Sequence, residues 1–468
     1  MKPTNNHNRK KCLTKLAKAG CTALLVFTFS HSLPLLTSCS DWDDHYSKTT
    51  SEGSDATLWE HLKSNAQLSD FCQVLEQTKV FRMHKKTVVS YADLLSSGQS
   101  FTVVAPVNGS FNRDSLLQLV QTNQGDSMVE KSFVFNHISR MATSLNSSAK
   151  SLLMLNSKHI TLDANTVLTA NIHAKNGVLH TVQPPLPYER NLYERLSDMP
   201  ELSAIGSILR QYEEDYFDAD ASVSSGIIDG VPVYVDSVII ERNRMLSRIG
   251  LINAEDSTYW MVVPTTQGWQ QAWTETTKYF VYDETGLKRD SIQQFWTTRA
   301  LLDDAIFNLT DQRSVTDSLV SVPFLSWQRT YVSGKPKYHV FQKPFDNGGI
   351  LRGAQAVPCS NGTLYTVNQW PFDPYQTYFK ELWTECESSW LTVNYNLCRN
   401  NIRRHVADSI SENAYLQIIP QTATSNWDIT FRVTNTLAGD YDICAVVLPK
   451  SVVNAISPDL RPCKFKAN

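Results

Sequence analysis

The chain contains no GxSxG elbow, no HExxH pair, no Walker loop and no GxGxxG turn. Those omissions remove the sequence signatures of a hydrolase nucleophile, a zinc protease, a P-loop site and a dinucleotide site. Nine cysteines occur, but none forms a CxxC pair, which sets aside a zinc ribbon and a redox dithiol. None of the histidines has a cysteine or a second histidine at ligand spacing, so no metal and no cofactor are expected. A clean run of about 20 apolar residues, the length a spanning helix needs, is also missing. The most apolar stretch, "AGCTALLVFTFSHSLPLL", is interrupted by Ser30, His31 and Pro34. Asp215–Ser222, "DYFDADAS", lacks the central glycine and the closing glutamate of a calcium loop and reads as a solvated loop.

An excess of positive charge is confined to the first 38 residues. Residues 1–38 hold six of the 43 Lys and Arg and no Asp or Glu, which leaves 37 basic against 46 acidic residues beyond them, a net of −9. A body this acidic has no global electrostatic case for nucleic acid.

What is present begins with those 38 residues. A basic start through Lys18 followed by an apolar region is the layout of an export signal. Its end, Leu36-Thr37-Ser38-Cys39, resembles the bacterial lipobox, and that resemblance implies cleavage before Cys39 and acylation of its thiol. Each buried CH₂ contributes about 0.8 kcal/mol and stable anchoring takes more than one chain, a requirement that a diacylated cysteine meets. Residues 39–54 then read as a tether. Asp41, Asp43 and Asp44 directly behind Cys39 resemble the acidic signal that sends lipoproteins to the outer face of the outer membrane in glycan-degrading Gram-negative bacteria; a solvated tether accounts for the same residues. The expected location is the outer membrane, lipid-anchored and facing the exterior. Export permits disulfides among Cys72, Cys359, Cys386, Cys398, Cys444 and Cys463, but six cysteines allow 15 pairings and spacing does not choose.

At 468 residues the chain is long enough for about three domains, and it repeats itself. "LWEHLKSNAQLSDF" (58–71) aligns without gaps on "LYERLSDMPELSAI" (192–205). Thr57 and Asn191 precede Glu60 and Glu194 by three, the spacing of a capping box. Leu58, Leu62, Leu68, Phe71 and Leu75 share one helical face, as do Leu192, Leu196, Leu202, Ile205 and Leu209. "FTVVAPVNGSF" (101–111) matches "YWMVVPTTQGW" (259–269), each a buried strand ended by Pro106 or Pro264, with Asn108 placed to cap the helix that follows. "NGVLHTV" (176–182) matches "NGTLYTV" (361–367), an Asn-Gly hairpin signal before an alternating strand.

The order of amphipathic helix, "TVVAP…F" and "NG-V-L-H-x-V" resembles the fasciclin-like domain family. Its two blocks fall on Thr102–Phe111 and Asn176–Val182, with Phe135-Asn136-His137 where the family often carries an aromatic-His pair. The resemblance covers 55–188 well. It covers 190–370 divergently, with long insertions around 211–255 and 310–355, and with Thr298-Arg299 near the place of the histidine. It implies an α+β fold, two mixed-sheet wedges with packed helices. Phe101, Val103, Phe111, Val178 and Val182 then become packing residues and His137 a structural one.

Residues 375–468 read as a mostly-β C-terminal region of β-sandwich or jelly-roll type. "AYLQIIP", "WDITFRVTN" and "GDYDICAVVLP" are its candidate strands. This region is expected to be incomplete, either truncated or completed by another chain; a small sandwich is the alternative. Trp370, Trp383 and Trp390 are candidates to stack on sugar rings, or to pack between the second and third domains. Asp-Ser pairs at Ser115, Ser127, Ser237, Ser257, Ser291, Ser318 and Ser409 resemble an O-glycosylation motif and also serve as turn or cap pairs.

Two functional expectations follow. The first is a cell-surface, lipid-anchored, non-catalytic adhesion or binding module with a protein or glycan ligand. The second is an accessory glycan-binding lipoprotein working with an outer-membrane glycan-uptake transporter complex. An enzyme is not expected.

Overall fold

The computed structural model describes residues 54–448 apart from 83–84, 229–230, 284, 324–330, 333–334, 337, 380–381, 383, 388–391, 405–409 and 435. They fall into two compact units that divide between Leu186 and Pro187.

In the first unit, helix α1 (Leu58–Ser64) starts on the expected capping box. Thr57 Oγ1 accepts the Glu60 N–H at 3.3 Å, and Glu60 Oε2 accepts the Thr57 N–H at 2.7 Å. Leu58 and Leu62 are fully buried, as are Leu68, Phe71 and Leu75 leading into and along α2 (Ser69–Gln77). A hairpin of β1 (Lys79–Arg82) and β2 (Lys85–Ser90) precedes α3 (Tyr91–Leu95). Strand β3 (Phe101–Pro106) is buried at all six positions because the unit packs against both of its faces. Phe101, Val103 and Ala105 face the helices, while Val104 faces a second cluster with Leu152, Met154 and Val182. After α4 (Arg113–Leu119), α5 (Asn123–Val129) and the turn α6 (Phe135–His137), the chain forms β4 (Ile138–Ser139), β5 (Lys150–Leu153), β6 (His159–Leu162), β7 (Thr169–Ala174) and β8 (Gly177–Val182). The main sheet has the order β4-β3-β8-β7, with β3 and β8 parallel and the flanking pairs antiparallel.

The second unit rebuilds this plan. Helix α7 (Leu192–Asp198) opens on Asn191 and Glu194 in a complete capping box, and α8 (Ser203–Arg210) buries Ile205 and Leu209. Next come a long ribbon of β9 (Glu213–Ile228) and β10 (Val231–Asn243), the short helix α9 (Leu246–Ile249), then β11 (Tyr259–Pro264), α10 (Thr266–Thr277) and α11 (Gly286–Leu302). Strands β12 (Ile306–Asn308), β13 (Ser318–Val320), β14 (Tyr331–Val332), β15 (Lys335–Pro336), β16 (Val340–Gln342), β17 (Gln355–Cys359) and β18 (Gly362–Val367) follow. The sheet order is β12-β11-β18-β17, again with a parallel central pair. Register is the same in both units: Phe101 to Pro106 face Gly177 to Val182, and Tyr259 to Pro264 face Gly362 to Val367.

The Asn-Gly blocks explain why the plan repeats. Asn176 Oδ1 accepts the Leu58 N–H at 2.7 Å, and its Nδ2 donates to Leu95 O at 2.9 Å and Ser97 O at 2.7 Å. Asn361 does the same: Leu192 N–H donates to Oδ1 at 2.9 Å, and Nδ2 donates to Ile252 O and Ala254 O at 2.8 Å each. Each asparagine thereby satisfies one of the orphan amides at a helix start and ties that helix to a later segment of its own unit. The hairpin lies one residue earlier than an Asn-Gly turn would put it. Its loop is Lys175-Asn176, with Ala174 facing Gly177, and in the second copy Ser360-Asn361 between Cys359 and Gly362. Gly177 and Gly362 open their strands at φ 148° and 144°, where an added Cβ would sit 2.0 Å from Phe101 O and 1.8 Å from Tyr259 O.

Two local expectations are corrected. Asn108 does not cap the helix after it; Asn112 does, accepting the Ser115 N–H at 3.0 Å. Asn108 Oδ1 instead accepts the Asp70 N–H at 2.9 Å and its Nδ2 donates to Ala66 O, so it serves the start of α2. Thr266, its counterpart, donates to Glu201 O at 2.9 Å and makes a similar tie with a hydroxyl. Asp215–Ser222 is no loop: it runs within β9, paired to β10 with bulges near Tyr234 and Asp236. Acidity in the sequence suits a strand with an exposed edge as well as a turn.

The C-terminal region is β-rich. Strand β19 (Thr392–Asn396) pairs with β22 (Asp428–Phe431), and β20 (Cys398–Arg404) pairs with β21 (Ala414–Pro420), all antiparallel. The segment 440–448, expected as a strand, pairs with no described residue, and Ile443, Val446 and Val447 are exposed. Its alternating pattern supplies strand propensity, but a ladder also needs a partner edge. "CKFKAN" lies outside the described residues.

Candidate functional site

Cys39, Trp383 and Trp390 lie outside the described residues. Trp370 follows β18 and packs against the core of the second unit. Its ring centroid is 4.9 Å from that of Phe372 and 6.5 Å from that of Trp269. The indole Nε1–H is buried without a hydrogen-bond partner. The Trp370 ring is therefore engaged by protein aromatics, and nothing in the sequence had distinguished it from its two neighbours.

His137 is 1% exposed. Its Nδ1–H donates to Phe133 O at 2.7 Å and its Nε2 accepts the Leu186 N–H at 3.0 Å, which fixes a neutral tautomer. Burial pushes its pKa down to about 4. His180 takes the opposite tautomer, accepting the Asn171 N–H at Nδ1 and donating from Nε2 to Thr143 O, each at 3.1 Å. Burial lowers its pKa as well. Both rings bridge chain segments and leave no nitrogen free for chemistry.

Near them, two buried carboxylates hold the β1–β2 hairpin. Asp126 Oδ1 accepts the Lys79 N–H at 3.2 Å, and Glu130 Oε1 accepts the Phe81 N–H at 3.0 Å and the Tyr91 hydroxyl at 2.6 Å. Lys86 Nζ lies 2.5 Å from Asp126 Oδ2. The carboxylates occupy amides of an edge strand that would otherwise be open to another chain. Burial raises the pKa of Glu130.

The second unit replaces the histidine chemistry. Ile306 faces Met261 as Ile138 faces Val103, so Asp304-Ala305 stands where Asn136-His137 stands in the first unit. Thr298 and Arg299, expected near this place, lie earlier, on α11. Arg299 Nε donates to Asp303 Oδ1 at 3.2 Å, and burial pushes Asp303 up to about 7 against the pull of that guanidinium. His339 Nδ1 is 2.5 Å from Asp304 Oδ1, and its Nε2 is buried without a partner. Ser321 donates its N–H to His339 O across the ladder at 3.1 Å. Asp, His and Ser are thus gathered, but they are 3%, 5% and 1% exposed, and Ser321 Oγ turns to Pro323 O at 3.5 Å. A nucleophile needs a hydrogen bond to its base and access for substrate; this set has neither and reads as an internal brace. Its signal in the sequence is the adjacent pair Asp303-Asp304 just before a buried strand, and the partner 35 residues away has no local mark.

The exposed face of the β20–β21 ladder is the other group that sequence reading missed. Arg399, Asn401 and Arg403 alternate on β20 and are all exposed; they face Ile419, Gln417 and Tyr415 on β21. Arg403 Nε donates to Gln417 Oε1 at 3.0 Å. On the opposite face Cys398 and Ala414 are buried, while Asn400 and Arg404 are exposed.

Among the described residues, no group of three or more His, Cys, Asp or Glu could hold a metal ion, and no helix is long and apolar enough to cross a membrane. The class that the fold defines is a tandem α+β protein, each copy a four-stranded mixed sheet carrying helices, followed by a β-rich region. No family model matches the chain, and no curated protein matches it. Among solved structures it is similar to a FAS1 domain pair from the insect cell adhesion molecule fasciclin I. Identity is 12%, the match covers 67% of this chain and 99% of that chain, and the TM-score is 0.21.

Proposed function

We propose that this chain is a fasciclin-like binding or adhesion module, non-catalytic and held by lipid at Cys39 on the outer face of an outer membrane. The observation that carries the reading is the use made of the repeated blocks. Leu58 and Leu192, Asn176 and Asn361, and the strands Phe101–Pro106 and Tyr259–Pro264 are occupied in packing and in ties between segments. Residues so employed form a stiff scaffold, and ligand capture falls to surfaces outside them. The lipobox-like Leu36-Thr37-Ser38-Cys39 supports the anchor. The test is fractionation of cells expressing the wild type and Cys39→Ala. The wild type belongs in the membrane pellet without residues 1–38, and the variant should be either released or still carry residues 1–38; a variant cut before residue 39 and fully retained in the membrane contradicts the anchor.

The exposed arginine and amide ladder of β20 favours a second reading, an accessory glycan-binding lipoprotein whose partner is a glycan-uptake transporter complex. Trp370, Trp383 and Trp390 enter that reading as stacking candidates. A glycan array comparing wild type with the triple Trp→Ala variant separates the two: glycan binding lost in the variant supports capture by these rings, and no glycan binding by either protein points to a protein ligand.

A further inference from the structure

The outer face of β20–β21 carries positive charge in a form suited to one kind of ligand. Arg399 and Arg403 on this face are exposed, and neither forms an ion pair with a described residue. Several arginines elsewhere are paired, Arg113 with Asp70 and Asp114, Arg242 with Glu214, Arg313 with Asp311. On one side of β20, Arg399 and Arg403 stand two pleats apart, which spaces their Cα atoms about 14 Å. Asn401 lies between them, and Gln417 and Tyr415 stand across the ladder. The Arg403 guanidinium is already oriented by Gln417. The face is therefore a row in which two cations flank a pair of amides, with Ile419 beside Arg399 and the Tyr415 phenol beside Arg403.

We propose that this face binds a linear acidic polysaccharide, with Arg399 and Arg403 pairing to its carboxylate or sulfate groups and Asn401 and Gln417 bonding its hydroxyls. The inference rests on the binding-module reading and names the ligand class. Guanidinium groups match planar carboxylates and sulfates bidentately. Uncharged amides between the cations suit a ligand whose charges are spaced by neutral polar groups. Nucleic acid carries a charge at every residue, a denser row than two arginines about 14 Å apart match. A bilayer surface would call for a denser basic patch and more apolar surface than Ile419 offers.

The test is affinity electrophoresis of the purified chain through gels holding hyaluronan, which has a carboxylate on every second sugar, κ-carrageenan, which has one sulfate per disaccharide, or uncharged dextran. Arg399→Gln/Arg403→Gln is compared with the wild type and with Arg352→Gln, an exposed arginine elsewhere in the second unit. Retardation by at least one of the two acidic polymers, none by dextran, and at least tenfold weaker retardation of the double variant are expected. Arg352→Gln should migrate as the wild type, and circular dichroism should show all three proteins folded alike. The polymer that retards tells carboxylate from sulfate. Equal weakening by Arg352→Gln means bulk charge and overturns the assignment, as does retardation by neither acidic polymer. Binding of the wild type only to DNA or to phosphatidylglycerol vesicles overturns it too. Retardation by dextran alone removes this face as the site while leaving the binding-module reading intact; that reading fails separately, on turnover of a substrate or on release of the chain from the membrane.

Discussion

Replacing Asn361 by alanine removes three hydrogen bonds at once. It strands the Leu192 N–H and the carbonyls of Ile252 and Ala254 in a place from which water is excluded, Asn361 itself being 3% exposed. An unpartnered buried polar group costs about 1–3 kcal/mol, and some of that is recovered if a water enters. The net loss should be about 3–5 kcal/mol, a large part of the roughly 5–15 kcal/mol that holds a domain folded. Asn361→Asp should be at least as damaging, because it keeps an acceptor for Leu192 but turns a carboxylate oxygen toward two carbonyls. Urea unfolding followed by tryptophan fluorescence reads the effect, since Trp260, Trp269, Trp273, Trp296 and Trp370 all belong to the second unit. A shift worth less than about 1 kcal/mol for either variant would refute the idea that this amide ties the helix start to the later segment. So would an aspartate tolerated better than the alanine.

The other expectations concern the same core chemistry. Gly177→Ala should disrupt the first unit, because its Cβ would press on Phe101 O at a backbone angle that alanine avoids; a melting temperature within a degree of the wild type would contradict this. His137 keeps a pKa near 4 in the fold against 6.5 unfolded, so acid favours the unfolded chain. The first unit should lose about 3 kcal/mol as pH falls from 6.5 to 4. Asp303 has the opposite sign. Its folded value of about 7 lies above the usual 3.8, so its contribution is present at low pH and fades as pH rises toward 7. Hydrogen exchange at pH 4.5 and 7 should show the two sites drifting in opposite senses, and parallel drift would contradict the assignment. Asp304→Ala should cost about 1–3 kcal/mol by leaving the buried His339 Nδ1–H without its acceptor, measured by thermal melts of the second unit.

Much of the scaffold was legible in the sequence because its signals are local. Capping boxes at Thr57/Glu60 and Asn191/Glu194 depend on residues three apart, and the buried faces from Leu58 to Leu75 follow one turn after another. What could not be read depends on partners far along the chain. Asn108 looked like a cap for the next helix, yet its partner Asp70 lies 38 residues back. The Asn-Gly pair announced a hairpin, but its amide works at distances of 118 and 169 residues. Acidity in Asp215–Ser222 fits a turn or an exposed ribbon equally, and only the presence of β10 decides. On β20 the arginines became a candidate surface once the register with β21 placed Arg399, Asn401 and Arg403 on one side.

The most direct measurement of the functional account is the intact mass of the chain extracted from the membrane fraction. The account predicts a protein beginning at Cys39, without residues 1–38, and heavier than its sequence by the acyl groups on that cysteine. A soluble protein that retains residues 1–38, or one that begins at Cys39 without acyl groups, would contradict it.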